Sequence, residues 1–185
     1  MASGQADTIV GIDLGTTNSL VAFADERGPR VIYATRGGGR DNGMVPSVVA
    51  IDPATGSVDV GQSARLHAIE RPEVTVYSIK RLMGRGFEDV QGEIERLPYR
   101  VVRRPGSEGR DLAAVQIGQR AYSPPEISAF VLRERVAARQ QEVMGRIRAL
   151  ASQVCETGSE IEQAELRKQL NANQYWSGLA RQMKT

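Results

Sequence analysis

Two short apolar runs on either side of a polar turn constrain this chain more than any other feature. Thr8-Ile9-Val10-Gly11-Ile12 is rich in β-branched residues, and Ser19-Leu20-Val21-Ala22-Phe23-Ala24 resumes that character after Asp13-Leu14-Gly15-Thr16-Thr17-Asn18. Runs of this length bounded by glycine-bearing turns read as buried strands. The turn is too short to hold a helix, so the two runs predict adjacent antiparallel strands rather than a strand-helix-strand unit. A second turn at Asp25-Glu26-Arg27-Gly28-Pro29 leads to a third run, Arg30-Val31-Ile32-Tyr33-Ala34. Residues 8–35 are therefore expected to form one antiparallel meander.

The rest of the chain alternates strand and helix patterns, which predicts a mixed α/β fold. A glycine-rich loop, Arg36 to Gly43, precedes the strand Ser47-Val48-Val49-Ala50-Ile51, and Pro53-Ala54-Thr55-Gly56 turns it into Val58-Asp59-Val60. A helix is expected from about Gly61 to Ile69, ending before Arg71-Pro72 because a residue ahead of proline avoids helical geometry. Val76 to Met83 is expected to be helical as well. Arg100-Val101-Val102-Arg103 and Ala114-Val115-Gln116-Ile117 should pair across a polar loop.

Ser123, with Pro124 and Pro125 in the first turn and Glu126 three residues on, has the capping-box pattern of a helix start. That helix should run to about residue 154. Its early stripe, Ile127, Phe130 and Val131, gives way to a rotated one at Val136, Val143, Ile147, Leu150 and Val154, which implies a change of packing partner. Thr157-Gly158 breaks it, and Ser159 with Glu162 starts a second helix over 160–182, packed back on the first or on the sheet. Its apolar positions are Ile161, Leu166, Leu170, Trp176, Leu179 and Met183. The organisation expected is a mixed α/β lobe over 1–134 followed by a helical tail over 135–185.

Composition excludes several function classes. The net charge of +2 is too small to argue for nucleic acid or a membrane surface as the main partner. Cys155 is the only cysteine and His67 the only histidine, so neither a disulfide nor a Cys- or His-rich metal site is available. A Cys–His nucleophile pair is disfavoured, because the two residues lie in different segments. No apolar run is long enough to span a bilayer, and the first residues lack the pattern of a secretory signal, so a cytoplasmic location is expected. Lysine occurs only at Lys80, Lys168 and Lys184, so Lys80 stands out in a chain that otherwise uses arginine.

The turn after the first strand has the chemistry of an anion site. Gly15 lets backbone come close to a ligand, and successive N–H groups beside the Thr16 and Thr17 hydroxyls make a concave, donor-rich surface. Asp13 beside it could hold the water shell of a magnesium ion. No Gly-Lys-Ser/Thr follows, so this is not a P-loop. Spacing alone leaves an ordinary hairpin with a polar turn equally open.

The wider pattern resembles a known family. Ile9-Val10-Gly11-Ile12-Asp13-Leu14-Gly15-Thr16-Thr17-Asn18-Ser19-Leu20-Val21-Ala22 is similar to the first phosphate-binding hairpin of the seventy-kilodalton heat-shock chaperones. Val45-Pro46-Ser47-Val48-Val49-Ala50, Val60-Gly61-Gln62-Ser63-Ala64-Arg65, Ser78-Ile79-Lys80-Arg81-Leu82-Met83-Gly84-Arg85 and Tyr122 to Leu132 resemble later segments of that family in the same order. The resemblance implies an actin-like, ribonuclease-H-like lobe that binds ATP or ADP with Mg2+. It implies that Asp13 orders magnesium-bound water, that Gly15, Thr16, Thr17 and Asn18 contact the β- and γ-phosphates, and that Lys80 reaches the γ-phosphate and steadies the attacking water. Arg81 would be a neighbouring structural or exchange-modulating residue.

The resemblance fades after Leu132, and the second phosphate motif, the adenosine motif and the substrate-binding domain are not found. The expectation is a truncated ATP-binding chaperone relative with little hydrolysis of its own. Alternatives are a non-enzymatic module that binds co-chaperones or full-length relatives, and a gene fragment without function.

Overall fold

The structure, a computed structural model, describes residues 9–25, 28–32, 43–106, 109–157 and 160–182. It is mixed α/β, as expected, and it divides into two compact units. The first comprises residues 1–31 and 43–132, and the second residues 32–42 and 133–185.

The first unit opens with the meander that the apolar runs predict. β1 (Ile9–Leu14) pairs antiparallel with β2 (Asn18–Asp25), with Leu14 opposite Ser19, and β2 pairs with β3 (Gly28–Val31). Gly28 and Pro29 belong to this third strand rather than to the turn. The two-residue strand β4 (Val45–Pro46) adds to the start of β2 on the same edge that β3 uses further along. The other edge of β1 carries no strand among the described residues.

A second sheet holds β5 (Val49–Ile51) between β6 (Val58–Val60) and β7 (Thr75–Val76). Helix α1 (Gln62–Glu70) lies between β6 and β7 in sequence and stops before Arg71-Pro72, as the proline rule requires. Gly61 starts it at φ 76, and a Cβ there would stand 2.7 Å from Val45 Cγ1. Both the conformation and the space demand glycine.

The helix expected over Val76 to Met83 is not formed. Val76 is drawn into the sheet opposite Val49 and fully buried, Ser78 takes a left-handed conformation at φ 54, and only a 3-10 turn remains at Ile79–Leu82. The apolar content of this stretch is spent on three separate anchors, Val76, Ile79 and Leu82, instead of one helical stripe. A short helix, α2 (Gln91–Ile94), follows.

The third sheet is the expected hairpin with one more strand: β8 (Arg100–Pro105), β9 (Asp111–Ile117) and β10 (Arg120–Tyr122). Alternation along β9 buries Ala113, Val115 and Ile117 in a core shared with Val49, Ile51, Val76, Ile79, Leu82, Ile127 and Val131. Phe130 is half-buried against that core, edge-on to Tyr122 at 6.2 Å, so core packing accounts for it.

Helix α3 (Pro124–Thr157) starts at the predicted cap. Glu126 accepts from the Ser123 amide and hydroxyl, both at 2.7 Å, and the Glu126 amide donates back to the Ser123 hydroxyl. The two stripes are both used: Ile127 and Val131 belong to the first unit, while Val136, Val143 and Ile147 are buried in the second. There α4 (Glu160–Gln182) runs antiparallel to α3, with the Gln140 amide donating to Ser177 Oγ at 3.1 Å. The apolar stripe assigned to α4 is corrected at two positions. Ile161 is 84% exposed and Leu170 45% exposed, so neither contributes to a buried stripe. Ser159, Met183 and the side chains of Val154, Trp176 and Leu179, on which further expectations rested, lie outside the described residues.

Candidate phosphate-binding site

The first hairpin carries Asp13 at the end of β1, and Gly15, Thr16 and Thr17 form the bend into Asn18 at the start of β2. A methyl group on residue 15 would stand 2.1 Å from the Asn18 carbonyl oxygen, closer than any real contact, so only glycine closes this turn. Asp13 and Thr17 are exposed and Thr16 is half-buried. Among the described residues the side chains of all three are free of hydrogen bonds and ion pairs. A carboxylate and two hydroxyls are thus available at one exposed bend.

The turn is anchored from the segment after β4. Ser47 donates its hydroxyl to the Gly15 carbonyl at 2.8 Å and its amide to the Thr17 carbonyl at 2.8 Å, and its Oγ lies 2.8 Å from that of buried Ser19. In the sequence Ser47 stands out only as the start of a strand. Nothing local could have shown these contacts, since 32 residues separate Ser47 from Gly15.

Lys80 lies on the 3-10 turn at Ile79–Leu82. Ile79 and Leu82 on either side are buried, and Leu14, next to Gly15, packs against the same core. The Lys80 side chain is exposed and forms no ion pair among the described residues. Its segment is braced from behind, where the Tyr99 hydroxyl donates to the Tyr77 carbonyl at 2.5 Å with the rings edge-on at 5.9 Å. Burial pushes the Tyr99 hydroxyl well above the usual phenol range, which keeps it a donor at any physiological pH. Arg81 pairs with Glu93 at 3.0 Å.

Among the described residues no group of three or more His, Cys, Asp or Glu side chains could cage a metal. A lone exposed carboxylate suits a magnesium ion that keeps its waters and takes the rest of its shell from phosphate oxygens. Asp13 fits that chemistry. His67 sits on α1, 3.4 Å from Asp59, away from this hairpin in sequence.

The family model described as "Hsp70 protein" matches residues 9–151, which takes in the hairpin, the Lys80 segment and most of α3. The chain belongs to the Hsp70 family. It is 45% identical over 127 residues to the "Chaperone protein DnaK" of each of two strains of Thermus thermophilus. That similarity covers 69% of this chain and 19% of each relative, so the chain spans about a fifth of the length of the curated relatives it matches. The Hsp70 match runs past Leu132, where the sequence pattern fades. The mixed α/β architecture with antiparallel sheets agrees with a partial actin-like Hsp70 lobe. No described helix is long and apolar enough to cross a membrane.

Proposed function

We propose that this chain supplies the phosphate-gripping part of an Hsp70-type ATP site. The observation that carries the reading is the Gly15 turn: a bend closed as only glycine allows, beside an uncommitted carboxylate and two uncommitted hydroxyls. Thr16, Thr17 and the backbone of Gly15 and Asn18 contact the β- and γ-phosphates. Asp13 holds water of the accompanying Mg2+, whose charge offsets that of the phosphates. Lys80 contacts the γ-phosphate as a compact ammonium.

Hydrolysis by these residues alone is slow, because the attacking water must be placed and the site closed, and a hairpin with one lysine does neither fully. The biological role that follows is in ATP-dependent protein folding, with co-chaperones or a full-length chaperone as partners, in the cytoplasm.

The Lys80 assignment separates this reading from a bare anion-binding turn. Lys80→Ala should weaken ATP about tenfold while changing ADP by less than about a factor of two, as one lost charge-assisted contact predicts. Fluorescence competition with magnesium nucleotides reads both. Equal losses for ATP and ADP, or none, would remove Lys80 from the site.

A further inference from the structure

Ser47 holds the turn by two hydrogen bonds, and the one from its hydroxyl fixes the direction of a third, to Ser19. Its hydroxyl has one proton, and the Gly15 carbonyl can only accept, so the 2.8 Å contact consumes that proton. The 2.8 Å contact between the two hydroxyls must then run the other way, with Ser19 donating to Ser47. The result is a buried relay, Ser19 O–H to Ser47 Oγ, then Ser47 O–H to Gly15 C=O. Each bond in such a chain polarises the next. The Ser47 amide adds a second hold at the Thr17 carbonyl.

These bonds fix peptide orientation. The described peptides are all trans, and in a trans peptide C=O and the following N–H point in opposite directions. Drawing the Gly15 carbonyl toward Ser47 turns the Thr16 N–H away from it, and drawing the Thr17 carbonyl does the same for the Asn18 N–H. Two amide donors are thereby set on the side of the turn opposite Ser47. Preset donors bind an oxyanion better than donors that must reorient on binding.

We propose that Ser47 is a positioning residue for phosphate, with Ser19 as the donor that supports it. The proposal rests on the ATP-site reading and adds to it the residue that presets the amides. Ser47 touches no ligand itself.

The test uses the full 185-residue chain and calorimetric titration with magnesium ATP and with inorganic triphosphate. Ser47→Ala should lose about tenfold in affinity for both, and Ser47→Thr, which keeps the hydroxyl, should recover most of it. Ser19→Ala should lose only about two- to threefold, because the Gly15 contact survives without its support. Ser47→Cys preserves volume with a weaker donor, so it carries the comparison if Ser47→Ala folds poorly. Hydrogen exchange at the Thr16 and Asn18 amides, measured without ligand, should quicken in Ser47→Ala and Ser47→Cys and not in Ser47→Thr. A change confined to packing would leave those two amides unmoved. If the parent binds ATP and Ser47→Ala and Ser47→Cys bind it equally well, the positioning role is wrong while the ATP site stands. If the parent binds neither ATP nor triphosphate, the ATP-site reading fails and the positioning role falls with it.

Discussion

The Asn18 carbonyl oxygen occupies the space that a side chain on residue 15 would need, and the whole candidate site depends on that closeness. Gly15→Ala must push the bend open. Overpacking of this kind costs about 1–3 kcal/mol, and it should also reduce triphosphate affinity, since the turn amides move. Thermal melting and titration of the variant check the two effects separately; unchanged affinity would show that the bend does not hold phosphate. At this scale the sequence was informative about identity and blind to contacts. Asp13, Gly15, Thr16, Thr17 and Lys80 were all singled out from motif and resemblance. Ser47 and Ser19 were not, because a hydroxyl that reaches 32 residues back leaves no local pattern. Buried Arg135 is a similar case: its guanidinium donates to the Ile32 carbonyl at 2.7 Å, 103 residues away.

Elements were legible where punctuation was strong. The glycine-bearing turns gave β1 and β2, Arg71-Pro72 gave the end of α1, and the Ser123–Glu126 box gave the start of α3. Lys80 lies on a 3-10 turn rather than the expected helix because three apolar residues at helical spacing serve a sheet and a core instead. The capping box makes a pH prediction. Hydrogen bonds from the Ser123 amide and hydroxyl, helped by Arg104 at 3.1 Å, hold the Glu126 carboxyl down at about 2 from its usual 4.5. A lowered acid pKa means stability that is complete above about 4.5 and lost as pH falls through about 2. Glu126→Gln should therefore melt below the parent at about pH 7, and the gap should close as pH approaches 2. Ser123→Ala should cost about 1 kcal/mol at neutral pH. A gap that stays constant with pH would show that the carboxylate is not what caps α3. The outer edge of β1 carries no strand among the described residues, and Ile12 on it is 50% exposed. An open apolar edge is a template for pairing with another chain. Ile12→Lys should suppress self-association at high protein concentration, with stability changed by about 0.5 kcal/mol or less as for an ordinary surface substitution. Sedimentation velocity across a concentration series reads this, and equal association by parent and variant would show the edge to be inert.

For the whole molecule, family and fold class could be read from the chain, while the meeting of its parts could not. Five ordered segments pointed to the Hsp70 family, and the family-model match over residues 9–151 establishes it. The proposed function makes a narrower claim for these 185 residues, recognition of the phosphate chain of a nucleotide: Gly15, Thr16, Thr17, Asn18 and Lys80 offer donors to phosphate, Asp13 offers a carboxylate to magnesium-bound water, and none of the six is a platform for adenine. Calorimetric titration of the chain with magnesium ATP, magnesium triphosphate and adenosine tests it most directly. The account predicts weak binding of ATP and triphosphate, with Kd on the order of 0.1–1 mM and within about threefold of each other, lost when magnesium is chelated, and no heat from adenosine. Adenosine binding as tightly as ATP, or silence from both phosphate ligands, would contradict it.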